Sequence, residues 1–275
     1  MSTKNPNMTK AQRREAARAE ALALREKEQQ RDKRNRIITL SVLAAALVAL
    51  AVVVWFILRE GEKKTVDEVP LSEVSMPATA QDDGGIPVGA DRVAGSTNEG
   101  APVVDVYLDY MCPVCGQFEQ INAADIDTMI DDGDATVVYH PVTILDRLSQ
   151  GTEYSTRSAA ASAYVADQAP EAFAEYNALL FANQPAENSE GLTDEQLASY
   201  AEEAGADSSI ADAIADGTAR TTFGQYVYSA TKEISDSVDR FGTPYVLVDG
   251  EVIGIQTWSE PGALADTVAA ASSEG

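Results

Sequence analysis

The rhythm of hydrophobic and polar positions changes several times along this chain. Residues 9–36 mix Ala, Glu, Arg, Lys and Gln without a sustained apolar stripe, which predicts a solvated helix. From Ile37 to Leu58 there are 22 residues with no charge, and only Thr39 and Ser41 are polar. At ~1.5 Å per residue that run is long enough to cross a ~30 Å hydrocarbon layer, so residues 37–58 are expected to form a single transmembrane helix. Arg59, Glu60, Gly61, Glu62, Lys63 and Lys64 follow it, where a cleavable signal peptide would carry small residues after a shorter apolar core; an uncleaved anchor is expected. Beyond it the chain is charged and then rich in Gly, Pro, Ser, Asp and Thr toward Gly100, too polar to bury much surface. Residues 59–83 are read as a flexible linker. As a coil of about 40 residues the whole polar stretch would reach roughly 35 Å.

A folded domain is expected over 84–275. Ile86 to Val93 suits a short edge strand. Pro102 to Tyr110 is dominated by β-branched and aromatic residues and predicts a strand packed on both faces. Phe118, Ile121, Ile126, Met129 and Ile130 fall at helical spacing, and a turn over Asp131 to Asp134 leads to a second strand over Ala135 to Tyr139. Residues of about 146–238 are Ala-rich and helical. Within them Thr193 and Gln196 form a capping box, with Leu192 and Leu197 as a hydrophobic staple and Gly205 as a stop. Asp249-Gly250 between two short apolar runs predicts a hairpin, and Ser259 with Pro261 just inside predicts the start of a last helix. No internal repeat is evident.

Charge adds the orientation. The formal net charge of -24 divides into +6 over residues 1–36 and -30 over the rest. The basic excess before the span, including Arg31, Lys33, Arg34 and Arg36, places residues 1–36 in the cytoplasm and everything after the span outside. Residues 93–146 contain no Lys or Arg, which argues against nucleic acid as a partner. The lack of an obvious dimerisation segment points to a monomer.

The only cysteines stand in Cys112-Pro113-Val114-Cys115, where a strand gives way to a helix. Thiols three residues apart lie on one face of the first turn, which suits a reversible disulfide. A structural staple is a poor explanation, because the entropic benefit of a crosslink grows with loop length. Structural zinc needs four ligands, and the chain offers two thiols and one imidazole, His140; no metal is expected. A lone histidine on a strand is more often structural, so His140 is left out of the site. At the helix N-terminus Cys112 would be the attacking thiolate and Cys115, one turn in, the shielded resolving thiol. Pro113 suits the first helical turn. With no cation nearby in sequence, activation is expected from backbone amides, with a thiol pKa less depressed than in the strongest oxidants.

The run Asp109-Tyr110-Met111-Cys112-Pro113-Val114-Cys115, followed by a large helical segment and then Gly242-Thr243-Pro244-Tyr245 before a hairpin, resembles the DsbA-like branch of the thioredoxin superfamily. The resemblance covers roughly residues 84–273. It implies an α/β thioredoxin-like fold with a large α-helical insertion, here preceded by a single transmembrane helix and a flexible linker. It also implies that Pro244 is cis and faces the cysteine pair, and that Thr243 presents backbone groups to an extended client. With Pro113 and Val114 these would form the substrate-binding surface around the catalytic Cys112 and Cys115. Two departures stand out. Many relatives carry a buried acid six positions before the first cysteine, where this chain has Val106; Asp105 is one residue off and at period two should face away. Strong oxidants of the family carry a histidine where Val114 stands.

The function expected is therefore an extracytoplasmic thiol-disulfide oxidoreductase that exchanges the Cys112–Cys115 disulfide with client thiols, foremost as a disulfide donor, with no organic cofactor. Re-oxidation would fall to a quinone-linked membrane partner of the DsbB or VKOR-like kind, as the resemblance implies. A reductase or isomerase would use the same residues from the opposite resting state. A redox-silent envelope module that binds clients beside Pro244 is the rival from another class.

Overall fold

The computed structural model describes Lys27 and residues 68–273. The expected cytoplasmic segment 1–36 apart from Lys27, the span 37–58 and the first part of the linker lie outside the described residues, among which no helix is long and apolar enough to cross a membrane.

Five strands form one sheet: β1 (Ile86–Val88), β2 (Val103–Leu108), β3 (Thr136–Pro141), β4 (Tyr245–Val248) and β5 (Glu251–Ile253). Their spatial order is β1-β3-β2-β4-β5. Only β2 and β3 run parallel, because α1 (Pro113–Asp131) provides the long crossover that parallel neighbours need. β3 is buried along its whole length, which is why it reads as an apolar run without alternation. β2, expected to be packed on both faces, alternates instead: Val104, Val106 and Leu108 are buried, whereas Val103, Asp105 and Tyr107 are only half-buried on the other face, where Asp105 and Tyr107 carry polar groups. The buried row shares a core with Phe118, Ile126, Met129 and Ile130 of α1 and with Leu264 and Val268 of α8 (Ala263–Ser272).

Between β3 and β4 lies the helical insertion: α2 (Tyr154–Gln168), α3 (Phe173–Ala182), α4 (Asp194–Glu203), α5 (Ser208–Ala215) and α6 (Thr218–Ser237). In α2 the buried residues are mostly Ala and Ser, so its neighbours approach closely from several sides. The expected capping box is present, with Gln196 N–H donating to Thr193 Oγ1 at 3.3 Å and Thr193 N–H to Gln196 Oε1 at 2.9 Å. Leu192 and Leu197 are both buried beside it.

The hairpin turn forms at Asp249-Gly250, with φ of 48° and 81°, and Asp249 Oδ1 accepts the Val103 N–H at 2.8 Å. The last helix departs from expectation. A short turn, α7 (Ile255–Trp258), comes first, and α8 starts only at Ala263 because Gly262 takes φ 82° and leaves Pro261 in the preceding loop.

The described end of the expected linker is also different. Residues 68–83 pack on the insertion instead of standing off from it. Leu71 is buried among Ala159, Ala160, Ala163, Phe223, Tyr226 and Val227. The Ser229 hydroxyl donates to Val69 O at 2.7 Å, and the Ala78 N–H to Asp167 Oδ1 at 2.6 Å. Average polarity hides the apolar residues that make this contact, chiefly Leu71.

Candidate active site

β2 carries the chain to the edge of the core, and Asp109 to Met111 turn it into α1. Asp109 is fully buried and its carboxylate accepts from the Met111 N–H (2.9 Å), the Leu145 N–H (3.0 Å) and the Ser155 hydroxyl (2.8 Å). Burial nevertheless outweighs these donors and pushes the carboxyl up to about 7. One side chain thus ties the turn before the cysteines to the loop after β3 and to α2.

Cys112 is the N-cap of α1, Pro113 occupies the first helical position, and the Cys112 carbonyl accepts the Cys115 and Gly116 N–H groups at 3.0 and 3.2 Å. Both cysteines are free and buried, with Cys112 the more open of the two at 6% against 1%. Pro113 is exposed and Val114 half-buried beside them. Pairing of β4 with β2 sets Tyr245 opposite Tyr107, which brings the residues just before β4 to the cysteine turn. There the Thr243–Pro244 peptide bond is cis, and the Cys112 thiol donates to the Thr243 carbonyl at 3.3 Å. Residues separated by the whole insertion therefore meet at one sulfur.

The two thiols are driven apart electrostatically. The Cys115 thiol, donating to the Cys112 sulfur, is the main group that holds Cys112 down to about 6; the Thr243 hydroxyl and the amides of Cys115 and Val114 act the same way against desolvation. Burial pushes Cys115 well up, and its neighbour Cys112 adds to that. Backbone amides do contribute, as expected, but side-chain donors come first. Among the described residues the Thr243 hydroxyl oxygen is buried with no hydrogen-bond partner, so it can donate its proton to a thiolate without breaking another bond.

The positions that depart from the family pattern behave as their spacing predicts. Val106 is fully buried in the core, and Asp105 faces the other side of the sheet, 2.9 Å from His140 Nε2. His140 is buried and stacks on Tyr107 with centroids 3.9 Å apart. Asp83 joins them, and the ligand atoms of the three lie within 4.8 Å of one another. This is the one group among the described residues near enough to share a cation, and the His140–Asp105 hydrogen bond already satisfies its buried member.

Sequence reasoning did not single out Asp109 or a second buried network. The Tyr110 hydroxyl is hydrogen-bonded with Ser162 Oγ at 2.7 Å and donates to Asn177 Oδ1 at 2.9 Å, while Asn177 Nδ2 donates to Glu119 Oε1 at 3.3 Å. Burial pushes Glu119 up to about 7. A polar residue ending an apolar strand reads as a turn, and nothing in its spacing reveals donors on another element.

Comparison with known proteins agrees with this arrangement. A thioredoxin family model (Thioredoxin_4) matches residues 88–266. The reduced disulfide bond oxidoreductase DsbG of Mycobacterium tuberculosis is 32% identical, with a TM-score of 0.54 over 67% of this chain and 85% of that one. Oxidised DsbA of the same organism is 29% identical, with a TM-score of 0.51 over 68% and 99%. MdbA of Actinomyces oris, a thiol-disulfide oxidoreductase 22% identical, shares the fold with a TM-score of 0.60 over 74% and 94%. The serine/threonine-protein kinase PknE of Mycobacterium tuberculosis is 32% identical over 170 residues, which are 60% of this chain and 30% of the kinase, so the chain spans less than a third of that curated relative. With its cysteine pair at the head of α1 and a family model covering most of the folded part, the chain belongs to the thioredoxin family, among the DsbA-like thiol-disulfide oxidoreductases.

Proposed function

We propose that this protein is a membrane-anchored, extracytoplasmic disulfide donor. The observation that carries the direction is the contrast between the two thiols: Cys112 is held down to about 6 while Cys115 is pushed well up. A low thiol pKa stabilises the reduced, dithiol state and makes Cys112 a good leaving group, and both effects favour giving a disulfide away. A client thiolate attacks Cys112, and Cys115 leaves and takes up a proton. A second client thiolate then attacks the client sulfur of the mixed disulfide, the client departs oxidised, and Cys112 leaves as a thiolate.

Around Cys112 the exposed Pro113, the half-buried Val114 and the Thr243-Pro244 segment form the client-binding rim. The uncharged run 37–58 and the basic residues before it support a single-pass anchor with the domain outside, where disulfides persist. The two electrons taken from each client pass to a membrane protein linked to quinone, and the chemistry needs no organic cofactor of its own.

The test is to equilibrate the full-length chain in detergent with glutathione buffers and read the Cys112–Cys115 state by alkylation. A potential above about -180 mV supports the donor reading. A value at or below about -250 mV assigns the same site to reduction and sinks it.

A further inference from the structure

We propose that Gln184, supplied by the helical insertion, is a positioning residue of the redox centre that sets the thiolate character of Cys112. This rests on the thiol-exchange reading of that site. Gln184 lies just past the end of α3, where its own N–H caps Phe181 O at 3.2 Å. Its side-chain amide reaches back across the turn, with Nε2 donating to Tyr110 O at 3.1 Å and to Cys112 O at 2.9 Å. Two carbonyls on one side fix which end of the amide points there, because only the NH2 group can donate. The amide oxygen lies over residue 116, 2.4 Å from where a Cβ would stand, so the glycine at 116 is what admits the side chain.

The stretch Tyr110 to Cys112 is thus clamped at both ends by the insertion. The Tyr110 ring is fully buried, tilted against Phe181 at 5.1 Å and hydrogen-bonded with Ser162 and Asn177; the Tyr110 and Cys112 carbonyls are held by Gln184. Cys112 has no side-chain cap of its own, so the orientation of its peptide decides whether Sγ meets the Thr243 carbonyl and the amides of Val114 and Cys115. Gln184 fixes that orientation. Its N–H also offsets the partial negative charge of the carbonyl in the very residue that bears the thiolate, which favours ionisation.

The experiment titrates Cys112 in the reduced full-length chain by thiolate absorbance and by the pH dependence of alkylation, comparing wild type with Gln184→Met and Gln184→Glu. Methionine keeps the length and the cover over Gly116 but has no donor, and glutamate keeps the shape but turns an oxygen and a charge toward the two carbonyls. Gln184→Met is expected to raise the Cys112 midpoint by about half a unit, a roughly threefold slower alkylation at pH 5, and Gln184→Glu by about one unit. Leu71→Ala, a destabilising change elsewhere, should leave the midpoint in place and so separates loss of stability from loss of positioning. A Gln184→Met midpoint equal to wild type, with or without a shift in Gln184→Glu, would overturn the proposal, since the side chain would then only fill space. Failure of wild type to equilibrate with glutathione would count against the thiol-exchange reading alone, because the titration does not depend on it.

Discussion

The stability of the reduced protein should depend on pH in a way that the oxidised protein's does not. Cys112 falls from an ordinary thiol value near 8.5 to about 6 on folding, whereas in the disulfide it has no proton to lose. For an acid whose folded pKa is depressed, the stabilisation is fully present above the unfolded value and is lost as pH falls through the folded one. Between pH 5 and pH 8 the shift corresponds to a gain of about 2.6 kcal/mol for the reduced form. Water reaches part of the sulfur's surroundings and screens it, so about 1.3 to 2.6 kcal/mol is the expected range. Asp109 and Glu119 also titrate in this window, with the opposite sign because burial raises them, but they do so in both redox states and cancel in the difference. The assay is urea unfolding of reduced and oxidised protein at matched pH values, taking the difference in unfolding free energy at each. Parallel reduced and oxidised curves from pH 5 to pH 8 would refute the reasoning, since Cys112 would then ionise no more readily folded than unfolded.

Thr243→Val removes the unpartnered hydroxyl beside the sulfurs and should raise the Cys112 midpoint by about half a unit, read by thiolate absorbance; an unchanged midpoint would remove Thr243 from the groups that hold the thiol down. Because the Cys115 thiol is the leading donor, Cys115→Ala should raise that midpoint by about a unit and Cys115→Ser, which keeps an O–H, by less; Cys115→Ser should also accumulate client mixed disulfides through Cys112 on non-reducing gels. Neutral donors around the thiolate predict that added salt lowers the Cys112 midpoint by about a few tenths of a unit, as it screens the acidic domain, whereas a thiolate held by Lys or Arg would show a rise. Leu71→Ala should cost about 2 to 4 kcal/mol in urea unfolding, a loss that a free tether would not register.

Much of the fold was legible because its signals are local. The strand character of β2, the capping box at Thr193 and Gln196, and the Asp249-Gly250 turn are each written within a few residues, and each formed where its chemistry requires. The cysteine pair was legible for the same reason, since its spacing alone puts two thiols on one turn of helix. Asp109 and Gln184 were not, because what makes them matter lies on other elements: the donors on Leu145 and Ser155 for one, the carbonyls of Tyr110 and Cys112 for the other. Leu71 was hidden by composition, since an isolated apolar residue in a polar stretch looks solvated until the alanine-lined surface that receives it is known.

The same distinction explains how an acidic domain keeps a thiolate. A sulfur charge near Lys or Arg would be stabilised by whatever basic residues the surface provides, but residues 93–146 carry none. Stabilisation must then come from neutral donors, which act only over hydrogen-bond distance and only when correctly aimed. The thiol of Cys115, the hydroxyl of Thr243 and the first amides of α1 are the neutral groups that lower Cys112. Their aim depends on two clamps from the helical insertion, Ser155 on Asp109 and Gln184 on the Tyr110 and Cys112 carbonyls. An insertion that only enlarged the client surface would have no reason to grip the backbone on both sides of the nucleophile; this one does, and the redox centre belongs to it as much as to the sheet.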